Sequence, residues 1–476
     1  MRQILLLLSL CVLRTTSLLP TYSNVLTNTS TTNSYFGSKI SSNSEWLIVG
    51  SANNGTATGE VFFYNISSGS PVYHSSVANP DGFFGTSSST YANNLAITNN
   101  FDRLIVSDGY TNKIFFYEFN NAINTWELIS NFTGPSNSYY GDVMTIYDDY
   151  AFVKRSQNSV RSIDVYKYSS NSYSLHSNIP NPDVHSIFSN RFGNSIATYK
   201  SGSDVSLLVG SPYLNSNKGV IYAYKLVNNV FTLFQTIEPY ESVPYRQFGD
   251  FMYIEHASNT LYTTDAEGNY NKLEVLNFNS THWNYQDIIE INNNNYNSFV
   301  TYNLINMAVN GDVLIISDLK YQSYTGSFLK FYKNSTNQWV YDDYFTESGS
   351  RLFPWSLTHV GDTLYASDRY TNSNTGKVAI FGNLLAAPTV SPTTASPTTG
   401  TTTAPTVSPS SPTTGTTTAP TVSPSSPTTG TTTTPTASPT PCQCLNGGVC
   451  IDGICRCSYP YYGTKCDITK DCSACT

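Results

Sequence analysis

Eight of the nine cysteines crowd between Cys442 and Cys475, and the ninth, Cys11, sits in an apolar run near the start of the 476-residue chain. Cysteines at that density in a short segment oxidise to disulfides, or hold zinc where four of them converge. Six N-x-Ser/Thr acceptors, at Asn28, Asn54, Asn65, Asn131, Asn279 and Asn334, offer amide nitrogens to N-glycosylation in a secreted chain. The six histidines, His74, His176, His185, His256, His282 and His359, are scattered. They form no His-Glu-x-x-His pair, and the chain has neither a Gly-x-Ser-x-Gly elbow nor a Walker loop. His256 does follow Glu255, but neighbours on a strand point to opposite faces, so the two should not share a site. No catalytic, cofactor-binding or metal-ligating residue is assigned, and the chain is read as not an enzyme.

The ends of the chain fix the compartment in which this chemistry would run. Arg2, the apolar run Ile4 to Leu13, and Thr15 and Ser17 at cleavage-like spacing read as a signal peptide over residues 1–17. That run is too short to span a bilayer, and no later stretch reaches 18 apolar residues, so the expectation is a secreted chain without a membrane span. The last residues also lack the hydrophobic tail of a lipid-anchor signal. A formal net charge of −8, with 12% charged residues and no Lys/Arg cluster, gives no footprint for nucleic acid. The cysteine-free body of over 400 residues must instead be held by a hydrophobic core.

The elements that carry these residues recur. Apolar runs ending in small or acidic residues start at Leu47, Leu104, Ala151, Leu207, Leu261, Leu314 and Leu364, at intervals of 47 to 57 residues. A repeat of about 50 residues built of short strands predicts an all-β, seven-bladed propeller over residues 18–385. The first repeat shows the plan: Tyr35-Phe36-Gly37, Trp46 to Ser51, Gly59 to Tyr64 and Pro71 to His74 read as four antiparallel strands between Gly, Asn and Ser. The seventh repeat stops at its third strand, Val378 to Phe381, so the missing outer strand is expected from residues 20–26.

Phe-Gly pairs occur at Phe36-Gly37, Phe84-Gly85, Phe192-Gly193 and Phe248-Gly249, with Tyr140-Gly141 a weaker form and the last two repeats without one. Gly210-Ser211-Pro212 is the one complete Gly-small-Pro partner. On these motifs the chain resembles the FG-GAP repeat family, the seven-bladed propellers of integrin α-subunit heads. The resemblance implies fold far more than ligand. The Asp-rich calcium loops of that family are absent, and a single Asp stands in their place at Asp108, Asp265, Asp318 and Asp368. One carboxylate per loop falls short of the six to eight oxygens that calcium takes. These side chains are expected to bond nearby loop N–H groups, with joint metal or ligand binding, or hydrolase chemistry, as the sharper alternatives.

Residues 386–441 are almost wholly Thr, Pro, Ser and Ala, and Thr398 to Pro412 recurs at Thr413 to Pro427. Such a segment forms no core, favours extended polyproline-II, and reads as a mucin-like O-glycosylated stalk, against the plainer reading of an unglycosylated linker. Beyond it, Cys442-Gln443-Cys444, Asn446-Gly447-Gly448, Cys455-Arg456-Cys457 and Tyr462-Gly463-Thr464-Lys465-Cys466 resemble an EGF-like module over 442–466, whose close first cysteine pair is similar to laminin-type modules. The resemblance implies Cys442 with Cys450, Cys444 with Cys455, and Cys457 with Cys466. Thr440-Pro441 replace the acidic residues of calcium-binding modules, so a calcium-free module is expected. In the tail, 467–476, three arrangements are open to Cys472 and Cys475: pairing with each other, starting an eighth-cysteine pattern, or bridging to another chain.

Head, stalk and tip together point to a secreted glycoprotein of the extracellular matrix or cell surface, structural or adhesive. It would be a subunit of a coat, matrix or appendage that contacts proteins or glycans and self-associates. A soluble adhesion ligand or lectin is the alternative, and a propeller hydrolase a more distant one. No cofactor is expected.

Overall fold

The computed structural model describes residues 24–27, most of 34–385 and four short strands after residue 448. It leaves out chiefly the segments 53–58, 82–90, 184–190, 292–305, 319–325 and 346–352 of the head. The expected signal peptide, the stalk, Phe84-Gly85, Asn28, Asn54 and the side chains of Asp318 and the C-terminal cysteines lie outside the described residues.

Seven four-stranded antiparallel sheets form the head. Blade 1 consists of Phe36–Ser42, Trp46–Ser51, Glu60–Asn65 and Val72–Ala78. Blades 2 to 6 repeat this plan from first strands beginning at Tyr91, Met144, Ile196, Met252 and Met307. The first strands touch in cyclic order, and that of blade 7, Leu357–Val360, returns to that of blade 1, so the fold is a closed seven-bladed β-propeller. All seven apolar runs of the sequence are second strands, from Trp46–Ser51 in blade 1 to Thr363–Asp368 in blade 7.

Blade 7 is assembled from both ends of the head. Its third strand, Lys377–Phe381, pairs antiparallel with Asn24–Thr27, which sets Val25 against Ala379 and Leu26 against Val378. The outer strand expected from residues 20–26 is present over Asn24–Thr27, and it covers an edge that would otherwise be open to pairing.

The packing follows from strand alternation. Successive second-strand residues face opposite neighbours: Ile48 packs with Leu104 and Val106 of blade 2, while Leu47 and Val49 pack with Tyr365 and Val378 of blade 7. Seven buried clusters result, one at each blade interface. Strands buried on both faces must read as continuous apolar runs, which is why they stood out in the sequence. Many tyrosines are consumed in this packing; Tyr140, Tyr199 and Tyr262 are fully buried.

The Phe-Gly turns lock neighbouring blades. Phe36, Tyr140, Phe192 and Phe248 are buried, and the glycines after them have φ of 87°, 83°, 77° and 81°. The third strands of blades 4, 6 and 7 open on a glycine against the next phenylalanine: a Cβ on Gly219 or Gly376 would lie 2.2 or 2.1 Å from the carbonyl oxygen of Phe248 or Phe36. Blade 7 keeps this lock without a Phe-Gly pair, because Phe353, followed by Pro354, is buried against Gly326 in the same way. In blades 1 to 6 the outermost pairing carries a bulge at one place, and Tyr73, Leu128, Leu175, Leu233, Tyr285 and Tyr341 beside it are exposed.

The C-terminal unit is described only as strands. Val449–Ile451 pairs with Ile454–Arg456, which sets Cys450 opposite Cys455, and Tyr461–Tyr462 pairs with Ile468–Thr469. Among the described residues no helix is long and apolar enough to cross a membrane.

Candidate functional site

Antiparallel strands fix which loops share a face. Turns joining first to second and third to fourth strands lie on one side, and second-to-third loops and connections between blades lie on the other. Three of the sequons occupy the same third-to-fourth turn, in blades 1, 5 and 6. Asn65 Oδ1 accepts from Ser67 N and Oγ at 3.1 and 2.6 Å, Asn279 Oδ1 from Thr281 N and Oγ1 at 3.1 and 2.8 Å, and Asn334 Oδ1 from Thr336 N and Oγ1 at 2.9 and 2.7 Å. This Asx-turn brings the amide and the hydroxyl of the sequon together. Asn279 is exposed, Asn65 and Asn334 are partly so, and Asn131 is exposed on the outer strand of blade 2.

The opposite face carries arginines stacked on aromatic rings. The Arg369 guanidinium lies 4.9 Å from the ring of Tyr35, 4.4 Å from Trp355 and 5.1 Å from Tyr370, and Arg191 lies 4.3 Å from Tyr213. Burial holds the pKa of Arg369 below that of a free guanidinium.

A central channel of 670 Å³ opens between the seven first strands. Polar side chains at one strand position staple blade 2 to 3, 4 to 5 and 6 to 7: Asn94 Nδ2 donates to Asp142 O at 2.7 Å, Ser195 Oγ to Gly249 O at 2.6 Å and Asn306 Nδ2 to Trp355 O at 2.8 Å. Near the Phe-Gly end, Asp142 pairs with Lys154 at 2.7 Å, and Asp250 accepts from Asn194 Nδ2 at 2.7 Å. Burial, opposed by Arg191, pushes the Asp250 carboxyl up to about 6. Lys39, also on the wall, has its pKa lowered by burial. At the far end Tyr147 stacks on His256, and Tyr253 reaches His359.

The three repeated aspartates whose side chains are described have separate partners. Asp108 accepts from Asn79 Nδ2 at 3.0 Å, Asp265 from Arg246 Nη1 at 2.9 Å, and Asp368 from the N–H groups of Tyr370 and Thr371, both at 3.1 Å. Asp368 uses loop N–H groups as expected, while Asp108 and Asp265 each hold a side chain. Among the described residues no group of three or more His, Cys, Asp or Glu could hold a metal ion. Glu255 and His256 do diverge: Glu255 accepts from Gly311 N of blade 6 at 2.9 Å, whereas His256 lies on Tyr147 of blade 3.

Around Asp265 lies a buried network that sequence spacing missed. Arg246 joins Asp265 to Glu241, and both oxygens of Glu274 accept from Tyr240 N at 2.9 and 3.1 Å. Burial, then the charge of Asp265, pushes the Glu274 carboxyl up to about 8. A proton on Glu274 supplies the donor that the buried Asp265 Oδ1 otherwise lacks.

The architecture and its channel define a propeller protein, and the comparisons with known proteins go no further. No family model matches the chain, and neither does any curated protein. Among solved structures it is similar to Sqt1 of Saccharomyces cerevisiae, with a TM-score of 0.47 at 12% identity over 76% of this chain and 89% of that one. A protein of unknown function from Desulfotomaculum acetoxidans gives a TM-score of 0.42 at 13% identity over 69% and 93%. A protein from Bacteroides fragilis described as a candidate 6-phosphogluconolactonase gives 0.48 at 12% identity over 68% and 88%. Likenesses at this level carry no argument about activity.

Proposed function

We propose that this chain is a secreted glycoprotein with a structural or adhesive role, a subunit of an extracellular coat, matrix or appendage. Its propeller head makes the contacts with proteins or glycans. The observation that supports this reading is the division of the head into two unlike faces. Asn65, Asn279 and Asn334 share one turn geometry on one face, where attached glycans would project and block close approach. The opposite face, with Arg369 and Arg191 on their aromatic rings, carries none of the three Asx-turn sequons and is the contact face. The cysteine-rich tip beyond the stalk then tethers or links chains, through Cys472 and Cys475 where the link is covalent.

The test is the molar mass of the protein from its native source, by light scattering, with and without reductant. A mass several times the glycosylated monomer that collapses on reduction is expected. A reductant-independent monomer overturns the assembly role and leaves the soluble ligand or lectin. One observation favours that second reading: Tyr240 and Tyr285 stack at 4.2 Å and are both exposed, as a sugar-stacking pair would be.

A further inference from the structure

Blade 3 departs from the other blades at one second-strand position. Four residues after the start of the apolar run stand Asp108, Asp265, Asp318 and Asp368 in blades 2, 5, 6 and 7, Ser51 and Ser211 in blades 1 and 4, and Arg155 in blade 3. The third strand of blade 3 sets Asp164 opposite Val153, the position that Glu274 holds opposite Thr263 in blade 5. In blade 5, Arg246, two residues before Phe248, is buried and bonded to Asp265 beside that carboxyl. Two residues before Tyr140, the connection into blade 3 has the shorter Ser138, whose hydroxyl turns back to Pro135 O at 2.6 Å. A pocket of 370 Å³ is left at this seam, lined by Phe132 and Pro135 from blade 2 and the connection after it, and by Arg155, Gln157, Asp164 and Tyr166 of blade 3.

Arg155 and Asp164 are the charged residues of the lining, so it carries no net charge. Asp164 is buried and accepts from the Tyr140 hydroxyl at 2.9 Å and from Asn178 Nδ2 at 2.7 Å, while Arg155 Nη1 stays 3.7 Å from it. Among the described residues the Arg155 side chain makes one hydrogen bond, from Nη2 to Gln157 Oε1 at 3.0 Å, which leaves most of its N–H donors open. An anion here would face Asp164 and a cation would face Arg155, whereas a neutral hydroxyl accepts from a guanidinium and donates to an amide oxygen. The rings of Phe132 and Tyr166, 4.5 Å apart, and the exposed Leu175 add an apolar wall for C–H groups. We propose that this pocket binds one neutral sugar ring, held by adjacent hydroxyls on Arg155 and Gln157. Its volume lies in the range of small-ligand sites. Asn131 points away from it: Ser130 bonds to Ser172 of blade 3 at 3.1 Å, and strand alternation turns the next residue to the other side. The proposal rests on the reading of the head as a maker of glycan contacts, to which it gives a place and a ligand class.

The experiment is saturation-transfer NMR on the full secreted chain with the methyl glycosides of glucose, galactose, mannose and N-acetylglucosamine, and with glucuronate as the charged control. At least one neutral glycoside should show saturable transfer, and glucuronate none. Arg155→Met should weaken that binding roughly tenfold or more, and Gln157→Ala about threefold, each variant checked for folding by circular dichroism. Binding that survives both variants overturns the pocket; if Tyr285→Ala abolishes it instead, the head still contacts glycans, at the exposed tyrosine pair. A preference for glucuronate also overturns the pocket. Transfer to none of the five probes overturns it together with the glycan half of the reading on which it rests. Gln157 is exposed and, among the described residues, bonds to Arg155 alone, so its variant decides the matter even if Arg155→Met does not fold.

Discussion

Tyr253 of blade 5 donates a hydrogen bond to His359 Nε2 of blade 7 at 3.2 Å, tying together two blades that are not neighbours. The donor is fixed because His359 Nδ1 faces the carbonyl oxygen of Gly361 at 3.2 Å, and a carbonyl only accepts. Burial lowers the pKa of both His359 and His256. The unfolded chain therefore takes up these protons first, near pH 6.5, and stability falls as pH drops below that value. Urea midpoints at pH 7.5 and 5.5 should show the loss, and His359→Gln should reduce it. Tyr253→Phe should cost about 1 kcal/mol at neutral pH.

Between the usual carboxylate range and about pH 8 the Glu274 and Asp265 pair sets the sign. Glu274 holds its proton in the folded chain to about 8 and releases it near the usual carboxylate range when unfolded. The folded state binds more protons between those limits, so stability falls as pH rises through that window. Glu274→Gln should flatten the fall between pH 6 and 9 in a thermal-midpoint series. An unchanged slope would show that the pair shares no proton.

Gly376→Ala would put a Cβ 2.1 Å from the Phe36 carbonyl oxygen, at a φ of +77°. It should cost at least about 3 kcal/mol, since neither backbone can move without opening the blade interface. Gly361→Ala is the control: its φ is +52° but nothing lies within 4 Å, so strain alone should cost about 1 kcal/mol. Denaturant midpoints of the two variants measure the difference.

Asn120 sits in the same kind of turn as Asn65, and its Oδ1 accepts from Ala122 N at 3.0 Å. It lacks only the hydroxyl. Ala122→Thr should create a glycosylated site in a secretory host, seen as a peptide mass increase that an endoglycosidase removes.

Deleting residues 24–27 should lower the thermal midpoint by several degrees, because the Lys377–Phe381 edge loses its partner. A free peptide of that sequence, supplied at high concentration, should restore part of the loss.

The blades were legible because second strands such as Trp46–Ser51 are buried on both sides, and only unbroken apolar runs satisfy that. Phe353 was not legible as a blade lock, because the positive-φ glycine that marks the others is replaced by Pro354. The staples were hidden for another reason. Asn94, Ser195 and Asn306 are polar residues in or beside short inner strands, and their type differs from blade to blade while their acceptor, a backbone carbonyl, leaves no trace in sequence. Arg246 and Glu274 lie in different elements and meet only once blade 5 is formed. Arg155 carried a signal that alignment of the repeats exposes: it is the basic residue at a second-strand position where the other blades carry Asp or Ser.

Val25 leaves the ribosome early, yet its partner Ala379 follows roughly 350 residues later, a separation that makes closure the slowest contact to form. At about 5–20 residues per second, synthesis alone keeps the circle open for roughly 20–70 seconds. During that interval two sheet edges face outward, each with the register to accept the other. The N-terminal strand of one nascent chain therefore fits the last blade of another equally well, and crowded synthesis would favour exchanged dimers in which each head is completed by its neighbour's first strand.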